Sequence, residues 1–269
     1  MSESTSVNAQ VRITADDYGL SPHVNEAIED LSNRLAIDAV SIMVHRNADL
    51  TTIHRLGATN VLFGIHLVFT EFAGLIKWPT GETPSHYLQL FKEVISSRHA
   101  QDAVRNEAVA QLERYSSLKL PLHFINSHHH VHLFPMIWPI VVKLANEFKV
   151  TQIRTAIKHK PSFSRRGLVT VASKISNAVH PIHNMTQLVP IGINYSGALV
   201  GSALRTTLSF PKRQLGDSAV WELVVHPENN DRPDDRSQEK RSLEYQMLQD
   251  VDGLNQTLLN NGMMRAGIN

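Results

Sequence analysis

The chain is 269 residues long, 42% hydrophobic and 19% charged, with a formal net charge of +1. That length allows one large α/β barrel or two smaller domains, and the near-neutral charge gives no bulk attraction to nucleic acid or to an anionic membrane surface. With no cysteine, disulfides and thiolate metal sites are excluded, so any metal must be held by His, Asp or Glu.

The polar stretch Met1–Gln10 lacks the apolar centre of a signal peptide and reads as a disordered tail. No apolar run is long enough to span a bilayer, so a cytoplasmic protein is expected. Val11 to Ala15 reads as a short strand running into Asp16-Asp17-Tyr18-Gly19. Ser21-Pro22 then opens a helix to about Leu31, with Ser21 as cap, Pro22 in the first turn, and Val24, Ala27, Ile28 and Leu31 as an apolar stripe. Ala39–Val44 is a second strand, Ala48–Leu56 a helix, and Asn60–Val68 a third strand with His66 near its end. Glu71–Pro84, rich in Gly, Pro and aromatics, reads as an excursion over the surface. Helices are expected over Ser85–Ser96 and Asp102–Ser117, then a strand over His123–His128 and a helix over Met136–Phe148. Gln152–Ala156 and Gln187–Asn194 read as strands, with a helix over 164–179 between them. Ala219–His226 is an apolar strand, Ser237–Asp252 and Leu254–Asn260 are helices, and Met263–Ile268 closes as a strand. This alternation, without an internal repeat, predicts one parallel α/β domain over residues 11–269.

Five of the ten residues from His123 to His132 are histidine. A solvated histidine-rich loop would explain them, but the cluster falls where a buried strand should end, which favours a metal site. Asp16, Asp17, His66, His128 and His226 all lie at C-terminal ends of predicted strands, the edge where barrels and open parallel sheets both build their sites. Asp-Asp-Tyr-Gly could be a plain turn with Gly19 at positive φ. With His66 and His128 at other strand ends, the pattern suits a two-histidine, one-carboxylate metal site, with the neighbouring Asp free as a base. On an extended strand His128, His130 and His132 share a face, so periodicity picks a face but not the ligand. His226 is open between core residue, ligand and general acid. Arg154 is either a surface charge or the partner of a carboxylate.

Thr14-Ala15-Asp16-Asp17-Tyr18-Gly19-Leu20-Ser21 with Val24–Ile28, Phe63–Thr70, Asn126–Pro135 and Val225-His226-Pro227 together resemble the motifs of the YdjC-like carbohydrate deacetylases, the group that includes chitooligosaccharide deacetylases. The resemblance spans residues 11–227. It implies a deformed TIM-like (β/α) barrel related to polysaccharide deacetylases, and hydrolysis of an N-acetyl group from an amino sugar or oligosaccharide. It implies one divalent metal ion, magnesium or zinc, on Asp17, His66 and His128, with Asp16 as catalytic base and His226 as candidate general acid. The family often has Asp where this chain has Asn126, and a small residue where Glu228 follows His226-Pro227. Residues 158–213 carry no recognised motif. A metal-dependent hydrolase of another amide or ester, and a non-catalytic sugar- or metal-binding protein, are the rival readings. A homodimer is compatible with the sequence, which fixes no oligomeric state.

Overall fold

Runs of aliphatic residues too short to be helices, and buried on both faces, are what a parallel barrel requires of its strands. Seven such runs close into one here. The structure is a computed structural model that describes residues 9–155, 176, 182, 184–192, 198–209 and 219–266. The strands are β1 (Ala9–Tyr18), β2 (Ala39–Ile42), β3 (Leu62–Leu67), β4 (Phe124–Ser127), β5 (Gln152–Arg154), β6 (Thr186–Ile191) and β7 (Ala219–Val225). They run in the order β2-β3-β4-β5-β6-β7-β1, and a further β1–β2 pairing closes the ring. All the pairings are parallel. A last strand, β8 (Met263–Arg265), pairs with Ala9–Val11 of β1. β1 then pairs with β2 over Thr14–Tyr18. Arg265 anchors this lower end on Asp38, whose other carboxylate oxygen accepts from the Ile13 amide.

The helices are α1 (Pro22–Asn33), α2 (Ile53–Leu56), α3 (Tyr87–Ser96), α4 (Arg98–Ser116), α5 (Trp138–Glu147), α6 (Gly201–Leu208), α7 (Arg236–Gln249) and α8 (Val251–Asn260). α1 forms as its sequence dictates: Ser21 accepts from the Val24 amide and Pro22 sits in the first turn. Val24, Ala27, Ile28 and Leu31 are fully buried, and each of the three larger side chains contributes roughly 1.5–3 kcal/mol of burial. The large core lies between strands and helices. Inside the ring a smaller cluster, Ala39, Phe124 and Leu188, forms an apolar plug. Gly64 makes room for it, since a Cβ there would meet the Phe124 ring at 2.5 Å.

Several boundaries differ from the sequence reading. β1 starts at Ala9, inside the expected tail, and runs through Tyr18, so Asp16 and Asp17 lie within the strand. Only Ile53–Leu56 of the helix expected over 48–56 forms. α6 was not anticipated. The helix expected over 164–179 lies outside the described residues, Ser176 excepted. The 71–84 excursion is not a loose surface loop: Trp78 is buried and donates to Glu93 (2.7 Å), and the buried Glu107 of α4 accepts from the Leu75 and Ile76 amides. No helix among the described residues is long and apolar enough to cross a membrane.

Candidate metal centre

The C-terminal ends of β1, β3, β4 and β7 bring the predicted site residues to one cavity of about 260 Å³, lined by Asp16, Asp17, His66, His128, His226 and Arg241 among others. Adjacent strand residues normally face opposite sides, yet β1 brings both aspartates to this one cavity because its chain turns between them. Asp16 continues the inward series Arg12, Thr14, whereas Asp17 takes a left-handed backbone (φ 73), and the register with β2 slips between Ala15 and Tyr18. Gly19 follows at φ 98, with the Met43 carbonyl so near that a Cβ would approach to 2.7 Å. The turn anticipated at Gly19 therefore exists, and it aims a carboxylate.

Asp17, His66 and His128 form a group whose ligand-type atoms lie within 4.8 Å of one another. His66 Nε2 is 3.2 Å and His128 Nδ1 3.4 Å from Asp17 Oδ1. That oxygen is buried without a hydrogen-bond partner. Ligand atoms 2.0–2.2 Å from a shared tetrahedral ion lie about 3.3–3.6 Å apart, so the spacing suits a cation between them. The proton positions agree. His66 Nδ1 is 2.8 Å from Asn126 Oδ1, an acceptor only, while Asn126 Nδ2 donates to Asp16 Oδ1 (3.2 Å). Ser41 Oγ is 2.8 Å from the same Nδ1 but donates its one proton to Asn126 Oδ1 (2.8 Å), so the His66 proton sits on Nδ1 and Nε2 presents a lone pair toward Asp17. Arg241 donates from its Nη1 to the other Asp17 oxygen (3.1 Å). Burial would raise the Asp17 carboxyl, but His128, His66 and Arg241 hold it well below its ordinary value. Burial would likewise lower His128, yet Asp17 and Glu71 raise it to about 9. A site that raises the proton affinity of a buried imidazole attracts cations.

Asp16 is fully buried. Arg154 grips it with both terminal nitrogens, 2.6 Å to Oδ2 and 3.0 Å to Oδ1. Burial opposes its charge, but the Arg154 cation, with help from His66 and His226, keeps the carboxyl below its ordinary value. Arg154 is in turn held by Glu222 (2.7 Å), which also takes Arg12 (3.0 Å) and the Thr14 hydroxyl (2.8 Å). Of the two readings of Arg154, the surface charge is ruled out and the carboxylate partner stands. His226 Nε2 is 3.9 Å from Asp16 Oδ2. Burial lowers its imidazole to about 4, against the pull of Asp17 and Asp16, so it is neutral near pH 7.

The histidine run is not an extended strand. β4 ends at Ser127, and His128–Leu133 is a 3₁₀ segment broken where His129 and His130 take left-handed backbone (φ 54 each). The two-residue periodicity that grouped His128, His130 and His132 therefore fails. His132 is buried between Ser127 (2.7 Å) and the Arg154 carbonyl (3.1 Å) and serves packing. His130 lines the cavity. Phe72 meets His128 edge-on at 5.7 Å and Tyr87 lies 6.1 Å from His129, whereas Phe69 and Trp78 are buried in the core.

The sequence reading missed Glu71, Ser41, Glu222 and Arg241. A lone Glu inside Ala-Val-Trp-Glu-Leu-Val-Val and a lone Arg in Val-Arg-Ile-Thr-Ala were signals of a buried ion pair. Nothing local marks Glu71 or Arg241.

The family model described as YdjC-like protein matches residues 10–257. Carbohydrate deacetylases of Vibrio campbellii and Vibrio parahaemolyticus are 33% and 32% identical over 143 and 154 residues, which are 52% and 56% of this chain. The chain spans 57% and 61% of the length of these curated relatives. A crystal structure from Enterococcus faecalis, provisionally described as a cellobiose-phosphate cleavage protein, superposes with a TM-score of 0.70 at 17% identity, covering 97% of this chain and 98% of that one. At that identity the likeness is one of fold.

Proposed function

The chain belongs to the YdjC-like protein family, and on that premise we propose that it is a metal-dependent hydrolase that removes the N-acetyl group of an amino sugar or oligosaccharide as acetate. The observation that carries the reading is the pairing of a cation-ready group, Asp17–His66–His128, with a second carboxylate, Asp16, braced so that it cannot join that group. A binding protein would need the first but not the second.

When bound, the metal would polarise the acetyl carbonyl and lower the pKa of water at the site. Two imidazoles and one carboxylate suit zinc better than magnesium. Asp17, His66 and His128 would hold it. Asp16 orients the attacking water through the one lone pair of Oδ2 that Arg154 leaves free and takes its proton. Because Arg154 lowers its proton affinity, Asp16 holds that proton only briefly. His226 Nε2, 3.9 Å away, is neutral at rest, so it becomes an acid only by gaining this proton during turnover. It then gives the proton to the departing nitrogen. Arg154 and Asn126 keep Asp16 aimed throughout, and Arg241 fixes the second oxygen of Asp17.

Acetate release from N-acetylglucosamine oligomers of increasing length, with metal add-back after dialysis, tests the reaction. Asp16→Asn should retain the metal and lose about 10²–10⁴ in turnover, whereas His128→Ala should lose the metal itself. Near wild-type turnover by Asp16→Asn would remove Asp16 from the base role. Phosphate release without acetate release would favour the rival esterase reading.

A further inference from the structure

We propose a second, outer divalent-cation site at the mouth of the cavity, formed by Glu71, His128 and His129, which competes with the inner group for His128. Glu71 Oε2 lies 3.5 Å from His128 Nε2 and 3.3 Å from His129 Nε2, and the three ligand-type atoms fall within 4.8 Å of one another. These separations exceed the usual N–H···O distance of about 2.9 Å and match the edges of a tetrahedron about a shared ion, about 3.3–3.6 Å.

The backbone presents these groups at some cost. Glu71 (φ 70) and His129 (φ 54) both take left-handed conformations, which non-glycine residues keep only where their surroundings hold them. Glu71 is held by its amide, which donates to the Pro84 carbonyl (2.9 Å), and by the Glu107 clamp on the next turn of the same loop. The His129 ring is steadied by His128 at 4.2 Å and Tyr87 at 6.1 Å. Two imidazoles and a carboxylate again favour a zinc-class ion over magnesium. Unlike the inner group, Glu71 and His129 are about one-third exposed, 34% and 31%, so the outer ion keeps water ligands and exchanges readily.

Competition follows from the electron pairs of one ring. A neutral imidazole offers a single lone pair. The inner group uses His128 Nδ1 and the outer group Nε2. An ion at the outer site therefore leaves the proton on Nδ1, facing Asp17 as a donor, and the inner ion is left with Asp17 and His66. Excess zinc should load the outer site, loosen the inner ion and slow turnover. The proposal rests on the inner-site reading only for this competition.

The test is equilibrium dialysis of the full chain against rising zinc chloride, counting zinc per chain. Wild type should take one ion tightly and then a second, after which the first, left on Asp17 and His66, is held more weakly. His129→Asn, chosen because Asn tolerates left-handed backbone, and Glu71→Gln should weaken the second by at least about tenfold. Asp17→Asn should lose the tight ion and keep the outer one. A wild-type count that stops at one, or a second ion that survives both rim substitutions, overturns the proposal. So does Glu71 acting only as hydrogen-bond acceptor for His128, because His129→Asn would then leave the count unchanged. The count needs no substrate, so a failure of the deacetylase reading would register separately, as an absence of acetate release.

Discussion

Asn126 serves two masters with one amide. Its oxygen fixes the proton of His66 and its nitrogen donates to Asp16. Asn126→Asp keeps the oxygen for His66 but places a second anion 3.2 Å from Asp16. One of the two facing carboxyls must then bind a proton. Turnover should fall by roughly ten- to a hundredfold, with a smaller change in metal affinity read by chelator competition. An unchanged rate would mean that the amide donor does nothing for Asp16. The same residue marks a limit of sequence reading: the departure from the family's usual Asp was visible, but which neighbour would feel it depends on strands far apart in the chain.

Among the elements, the β3–α3 connection shows how an irregular segment is made rigid. Glu107 accepts from two successive amides and from the Gln111 side chain, and Gln111 in turn pairs with both backbone groups of Val68. Glu107→Ala leaves those amides without an acceptor and should cost about 2–4 kcal/mol, seen in denaturant unfolding. Faster hydrogen exchange at Leu75 and Ile76 would localise the loss. Where local chemistry decides an element, the sequence was readable: the Ser21-Pro22 start of α1, the stripe through Leu31, and the apolar run of β7 all announce themselves. Where backbone conformation comes from tertiary contact it was not. Two left-handed histidines cannot be inferred from residue type, so the turn after β4 read as strand. Glu71 and Arg241 become site residues only through the fold.

At the scale of the molecule, the barrel interior holds a chain of alternating charge, Arg12–Glu222–Arg154–Asp16, almost wholly out of water. Burial would raise the Glu222 carboxyl, but Arg154 and Arg12 outweigh it and keep it below its ordinary value. A depressed folded-state pKa adds stability that is present above the unfolded value of about 4.3 and is lost as pH falls through the folded one. Glu222→Gln should therefore cost about 3–5 kcal/mol at neutral pH, and its stability should depend less on pH in the acid range, as urea titrations across pH would show. The ends of the chain add a consequence in time. Asp17, His66 and His128 have all been made by residue 128, while Arg154, Glu222, His226 and Arg241, which set the charge around Asp16 and Asp17, come later, and β7 is the last of the seven ring strands to be made. A chain still on the ribosome thus owns the Asp17–His66–His128 group before it owns the braces that give Asp16 its charge and aim. On the function proposed above, hydrolysis waits for β7 to close the barrel, because Glu222 on that strand holds the Arg154 that aims Asp16.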